Sequence, residues 1–234
     1  MLKFFGISNK EKVTVEDTSS IFTVAINKVV DDGFSEIKGF LNNNNNLETN
    51  PQISESDLMS FRLIIFVGNI YILNDYFDEK SALILRDKIV ENLLSYLDQD
   101  SEIAMDLFLN YENYFKEIID KKIDPTESIA YALFDKYEII KYQSELLKRK
   151  NEPNPILFNE LKKLVNHFIW NWKEFLEKCK IRFYIPVYVE GLIFLNSSFI
   201  VSLTSNLLMN SFIISLSILD LVLVSSFNFS YGFG

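Results

Sequence analysis

From Gly191 to Phe229 the chain carries a single formal charge, Asp220, and after Arg182 the only charged residues are Glu190 and Asp220. The stretch before that point is rich in Lys, Glu and Asp. This break constrains the fold more than any other feature. An apolar run longer than ~20 residues must be packed in protein, paired into a sheet or placed in lipid, because its backbone polar groups need partners in each case. The sequence therefore divides into a front portion, residues 1–182, and an apolar C-terminal segment, residues 183–234.

The front portion reads as about six amphipathic helices joined by short loops, an all-α helical bundle. Asp17, Thr18 or Ser19 is expected to cap the first, in which Phe22, Ile26, Val29, Ile37 and Leu41 recur near helical period, with Gly33 bending or dividing it. A polar loop follows through the Asn42–Asn46 run to Pro51. Ser54 and Asp57 form a variant capping box ahead of the most apolar piece, "FRLIIFVGNIYILNDYF". That piece is shorter than the ~18 residues of a membrane span, so a buried central helix is expected. Asp78 opens a third helix bearing Leu85, Ile89 and Leu93, and Asp100 or Ser101 a fourth bearing Ala104, Phe108, Tyr111 and Phe115.

Asp124-Pro125 and Asn154-Pro155 each place a side-chain acceptor at a helix N-cap and proline at the first helical position, where its missing N–H is not needed. The fifth helix is expected to bury Ile129, Leu133, Tyr137 and Ile140 and to run on to Lys148-Arg149-Lys150. The sixth, from Leu157 through Leu161, Phe168 and Trp172 to Cys179, reads as one helix of about six turns.

Three readings of the C-terminal segment follow from its composition. A spanning helix from Leu192 to Leu219 is preceded by Lys173, Lys178, Lys180 and Arg182, with no basic residue after it, a bias that keeps the bundle cytoplasmic. Ser198, Ser202, Asn206 and Asn210 recur every fourth residue, with Ser217 and Asp220 returning near the same face, a stripe suited to self-association in lipid. A short β-hairpin is the second reading, from the alternation of Phe227, Phe229, Tyr231 and Phe233 with polar or small residues. Translation of AT-rich DNA out of frame is the third, because Ser, Leu, Phe, Ile and Asn dominate the segment.

Chemistry-bearing motifs are sparse. A net charge of −9 argues against nucleic acid, whose binding depends on clustered Lys and Arg. The lone Cys179 forms no intramolecular disulfide, which suits a reducing compartment, and the start "MLKFFGISNKEK" lacks the apolar core of a signal peptide. His167 is the one histidine; on a continuous helix it lies about 18 Å from Cys179, too far for a catalytic pair. The acids at Asp75, Asp78 and Glu79, at Asp98, Asp100, Glu102 and Asp106, and at Asp120 and Asp124 fall at helix ends, where they cap rather than bind metal. Glycines are isolated, so no phosphate cradle is formed, and neither a cofactor nor a metal is expected. Trp170, off the main apolar stripe, is the candidate protein-contact residue.

The expectation is a non-enzymatic cytoplasmic protein that binds a basic protein partner and associates with membrane through residues 191–224, with homo-oligomerisation through the polar stripe. Three alternatives stand beside it: a membrane-damaging effector that oligomerises through the C-terminal segment, a soluble helical protein of unknown role whose tail is a frame-slipped or accessory segment, and an enzyme with an acidic site inside the bundle.

Overall fold

The structure is a computed structural model that describes residues 10–97, 100–119, 124–183, 188–189 and 192–193. The chain divides into two units, Met1–Phe183 and Tyr184–Gly234, each taken by itself. The first is an all-α bundle carrying one short parallel strand pair.

Strand β1 (Glu11–Thr14) runs directly into α1 (Val15–Asn42). The cap is Thr14, not the expected Asp17, Thr18 or Ser19. The Thr14 hydroxyl accepts from the Asp17 backbone N–H at 3.0 Å, and the Asp17 carboxylate reaches back to Thr14, a reciprocal capping box. Thr18 and Ser19 lie inside the helix, their hydroxyls donating to the carbonyls of Thr14 and Glu16. Gly33 does not divide α1, which is continuous. Its role is close approach, since a Cβ there would lie 2.6 Å from Cζ of Phe168. Beyond α1, the Asn42 carboxamide donates to the Ile53 carbonyl at 2.8 Å and accepts from the Ile53 N–H at 2.9 Å, closing the asparagine-rich loop.

Helix α2 (Leu58–Tyr71) is entered through the expected Ser54/Asp57 box, in which the Asp57 carboxylate accepts from the Ser54 N–H and hydroxyl. Every residue from Phe61 to Ile70 is buried. The helical run Glu55–Asp75 is apolar and long enough to cross a membrane, yet most of it is buried in protein, and a helix without a polar face is suited to such a core. A 3₁₀ turn, Ile72–Asp75, tucks Leu73 inward and leads to α3 (Glu79–Tyr96), whose first turn is capped by Asp78 as expected. Helices α4 (Ser101–Ile119) and α5 (Pro125–Lys136) follow, α5 capped by Asp124 with Pro125 at its first position. Helices α1, α4 and α5 all pack on α2, and α3 packs on α1. Gly68 permits the α2–α5 approach: a Cβ there would lie 2.3 Å from Cγ1 of the fully buried Ile129.

Both later helices are shorter than the sequence predicts. α5 stops at Lys136, and Glu138 takes a left-handed conformation at φ 50° ahead of a 3₁₀ turn, Ile139–Tyr142. The basic cluster belongs to a separate helix, α6 (Glu145–Lys150). Fully buried Gln143, between the 3₁₀ turn and α6, ties this stretch to the chain that follows α6. Its amide donates to the Glu152 carbonyl, and its oxygen accepts from the Asn154 N–H at the start of α7 (Pro155–Val165).

The expected sixth helix is likewise interrupted. After α7 come a 3₁₀ turn, Asn166–Phe168, and an extended Ile169, before α8 (Trp172–Lys178) starts on an Asn171 cap. Asn69, buried in the last turn of α2, holds the interruption in place. Its Nδ2 donates to the Phe168 carbonyl at 2.9 Å and its Oδ1 accepts from the Trp170 N–H at 2.7 Å, giving two groups that a helix would have paired a partner elsewhere. The same Nδ2 also donates to the Ile65 carbonyl one turn earlier. Cys179 then leaves α8 as strand β2 (Cys179–Arg182), parallel to β1 with Glu11 opposite Cys179 and Val13 opposite Ile181. This pairing, absent from the expectation, joins the two ends of the described unit, with Val13 and Ile181 turned into the core. Phe183 lies edge-on to Phe77.

Polar residues also tie the helices to one another. Arg62 on α2, only 8% exposed, pairs with Asp31 on α1 and sits 5.3 Å over the Tyr96 ring on α3. The Tyr96 hydroxyl donates to the other Asp31 oxygen at 3.0 Å, and this bond, followed by desolvation, raises the phenol above its ordinary value. Ser19, Thr23 and Asn27 form a buried row at four-residue spacing on α1. Asn92 of α3 donates to Ser19, whereas the Asn27 carboxamide and the Thr23 hydroxyl are buried without hydrogen-bond partners.

In the second unit the described residues are two strands, β3 (Tyr188–Val189) and β4 (Leu192–Ile193), paired antiparallel with Val189 opposite Leu192. The predicted stripe of Ser198, Ser202, Asn206, Asn210, Ser217 and Asp220 lies outside the described residues.

Two near-isosteric substitutions are expected to act in opposite directions. Asn69→Leu strands the Phe168 carbonyl and the Trp170 N–H, and should lower unfolding free energy by about 2–4 kcal/mol in a denaturant titration. Asn27→Leu removes two unpaired buried groups and should leave stability unchanged or raise it by about 1 kcal/mol. Equal losses at both positions would contradict the assigned roles.

Candidate functional site

Two grooves mark the surface of the bundle among the described residues. The first, about 240 Å³, lies where α2 ends and α3 turns back against α4. Ile70, Leu73 and Ala82 make its apolar floor, the short Ala82 side chain leaving the hollow. Asp78 fixes where α3 begins, so Glu79, Leu83 and Arg86, at i, i+4 and i+7, line the groove from one face. Leu83 forms an apolar lip, 55% exposed.

An ion pair between α3 and α4 shapes one side. Arg86 Nε donates to Glu112 Oε1 at 2.9 Å and its Nη2 to Oε2 at 2.6 Å, a two-pronged contact that fixes both side chains. Its Nη1 donates to Asp87 at 2.7 Å, and the guanidinium stands 5.9 Å over the Phe108 ring. The hydrogen bond to Glu112 outweighs desolvation and raises Arg86 above its already high ordinary value, so the guanidinium stays charged. Sequence reasoning missed this pair because its partners stand far apart in the chain and on different helices.

The second groove, about 260 Å³, is lined by Trp170, Asn171, Glu174, Phe175 and Lys178. Trp170, the sequence-predicted contact residue, is half-buried and sits in an aromatic cluster, with its ring centroid 5.7 Å from Phe22, 6.0 Å from Trp172 and 5.8 Å from Phe175. Trp172, on the expected apolar stripe, is fully buried and stacks on Phe22 at 5.6 Å. The indole N–H groups of both tryptophans are buried without acceptors. Lys178 pairs with Glu174 at 2.6 Å; this hydrogen bond lowers the Glu174 pKa and raises that of Lys178. The Asn69 clamp sets the backbone at Trp170, so the aromatic face is held by the core rather than by a free loop.

The remaining predicted positions are dispersed. His167 is exposed in a 3₁₀ turn, and Cys179 is half-buried on β2; because the helix between them is interrupted, the continuous-helix distance does not apply to them. Asp78, Asp100 and Asp124 accept from backbone N–H groups at helix starts, the expected capping role. Asp98 and Asp120 lie outside the described residues. Among the described residues no group of three or more His, Cys, Asp or Glu is placed to hold a metal ion. No family model, curated protein or solved structure matches the chain.

The Arg86–Glu112 contact is expected to couple α3 and α4. In a double-mutant cycle with Arg86→Met and Glu112→Gln, unfolding should show an interaction energy of about 1–2 kcal/mol, part of which survives high salt because both side chains are mostly buried. A coupling near zero would make the pair a mere surface contact.

Proposed function

We propose that residues 1–182 form a non-enzymatic protein-binding bundle and that the apolar segment 183–234 associates it with a membrane. The observation that carries the binding half is the Trp170 groove. A large aromatic side chain with limited freedom, beside Phe175 and flanked by the charges of Glu174 and Lys178, is the type of surface on which binding energy concentrates. Because Asn69 fixes the neighbouring backbone, little ordering cost is left for binding. The net charge of −9 favours a basic partner through complementary potential.

The membrane half rests on sequence. Between Gly191 and Phe229 only Asp220 is charged, and the basic residues Lys173, Lys178, Lys180 and Arg182 all precede the segment. That order keeps the bundle on the cytoplasmic side.

Vesicle flotation and site-specific cross-linking test the two halves separately. The full chain should float with anionic vesicles, and a chain ending at Phe183 should stay in the soluble fraction. A photoreactive residue at Glu174 should capture a partner in cells, whereas the same residue at exposed Glu36 on α1 should not. An unchanged membrane fraction after truncation overturns the anchoring role. Release of an entrapped dye by the full chain favours the membrane-damaging alternative instead. Equal capture at both positions overturns the groove.

A further inference from the structure

The groove between α2, α3 and α4 has a chemistry distinct from that of the Trp170 groove. Its floor is aliphatic, formed by Ile70, Leu73 and Ala82, and the exposed Leu83 extends that apolar surface to the lip. At about 240 Å³ it is smaller than the ~300–1,000 Å³ of small-molecule sites and suits one or two side chains. Its charges are unbalanced. Arg86 donates to Glu112, which lines the groove, and to Asp87 next to it in the chain, so two carboxylates answer one guanidinium. Glu79, on the same face of α3, is exposed and has no ion-pair partner among the described residues. An aliphatic hollow edged by excess negative charge complements an aliphatic side chain with a cation beside it.

We propose that this groove docks a basic amphipathic segment of a partner protein, with an aliphatic side chain on Leu73, Ala82 and Leu83 and a neighbouring Lys or Arg against Glu79. The proposal rests on reading the bundle as a protein-binding module, but it does not require the Trp170 groove. The two-pronged Arg86–Glu112 contact holds α3 and α4 in fixed relation, so the groove is formed before the segment arrives. Helical spacing of the anchor and the cation on the segment would let both reach the groove from one face.

The test uses the full chain in a neutral detergent and, as probe, a fluorescein-labelled amphipathic peptide of leucine and lysine at helical spacing. Fluorescence anisotropy gives its affinity for each variant under identical conditions, so peptide partition into micelles is common to all. Leu83→Asp is the decisive variant. It adds negative charge, which strengthens attraction of a cationic peptide to an acidic surface in general, but it removes the apolar lip. Docking in the groove requires Leu83→Asp to weaken binding about tenfold, as loss of an anchor contact does. Glu79→Lys should weaken binding more than Glu36→Lys, although both change net charge equally, and Trp170→Ala should leave it unchanged. Tighter or unchanged binding by Leu83→Asp, equal effects of the two charge reversals, or absence of binding by the unaltered chain would each overturn the proposal. Loss of binding confined to Trp170→Ala would assign the segment to the other groove and likewise overturn it. Failure of the Glu174 cross-link alone would count against the Trp170 groove and leave these results standing.

Discussion

Helix α2 has no face for water. With Phe61 to Ile70 all buried, the rest of the first unit has to supply a wall on every side of it, and α1, α4 and α5 do so. Each fully buried Phe, Leu or Ile on such a helix contributes roughly 1.5–3 kcal/mol of transfer free energy, so the enclosure is a main source of stability. Two glycines let neighbours come close enough to make it tight. Gly68 admits Ile129 against α2 itself, and Gly33 admits Phe168 against α1. The polar residues buried in α2 are tied across the bundle: Arg62 reaches Asp31 and Tyr96, and Asn69 reaches the chain before α8.

Side-chain amides close several of the remaining gaps. Asn42, Asn69 and Gln143 each donate to a backbone carbonyl and accept from a backbone N–H in another segment, as a neighbouring strand would. A carboxamide is suited to this because it carries both functions on one planar group. In this bundle these contacts hold irregular chain against helices, at the asparagine-rich loop, at the α7–α8 break and at the entry to α7. The Trp170 groove depends on the second of them directly. Asn27 is the contrasting case, the same chemical group buried without partners on the α1 row.

The architecture was legible at most places where a local signal decided it, the Thr14/Asp17 box at the start of α1 being the exception. Asp78, Asp124-Pro125, Asn154-Pro155 and the Ser54/Asp57 pair marked helix starts because capping is settled by adjacent residues. The central position of α2 was legible from its continuous apolar run. The course of the last helix was not. Phe168 and Trp172 keep helical spacing in the sequence and are both buried, but an extended residue separates the helical turns that carry them, and the group that makes this possible is a hundred residues away on α2. The β1–β2 pair was hidden for a similar reason: one inward apolar residue per four-residue strand, Val13 and Ile181, is too little pattern to read. Of the candidate contacts, Trp170 was singled out by its position off the stripe. The groove beside Leu83 had no sequence signal, because it exists only where Ala82 and Leu73 from separate elements leave a hollow.

Amide hydrogen exchange along α2 tests the account of this core most directly. If the helix is enclosed on all sides, the amides of Ile65 to Ile70 open only when the whole unit unfolds, and their exchange free energies should match the unfolding free energy from denaturant titration. Exchange of these amides through a smaller opening, at a free energy well below the global value while α1 and α5 remain protected, would contradict it.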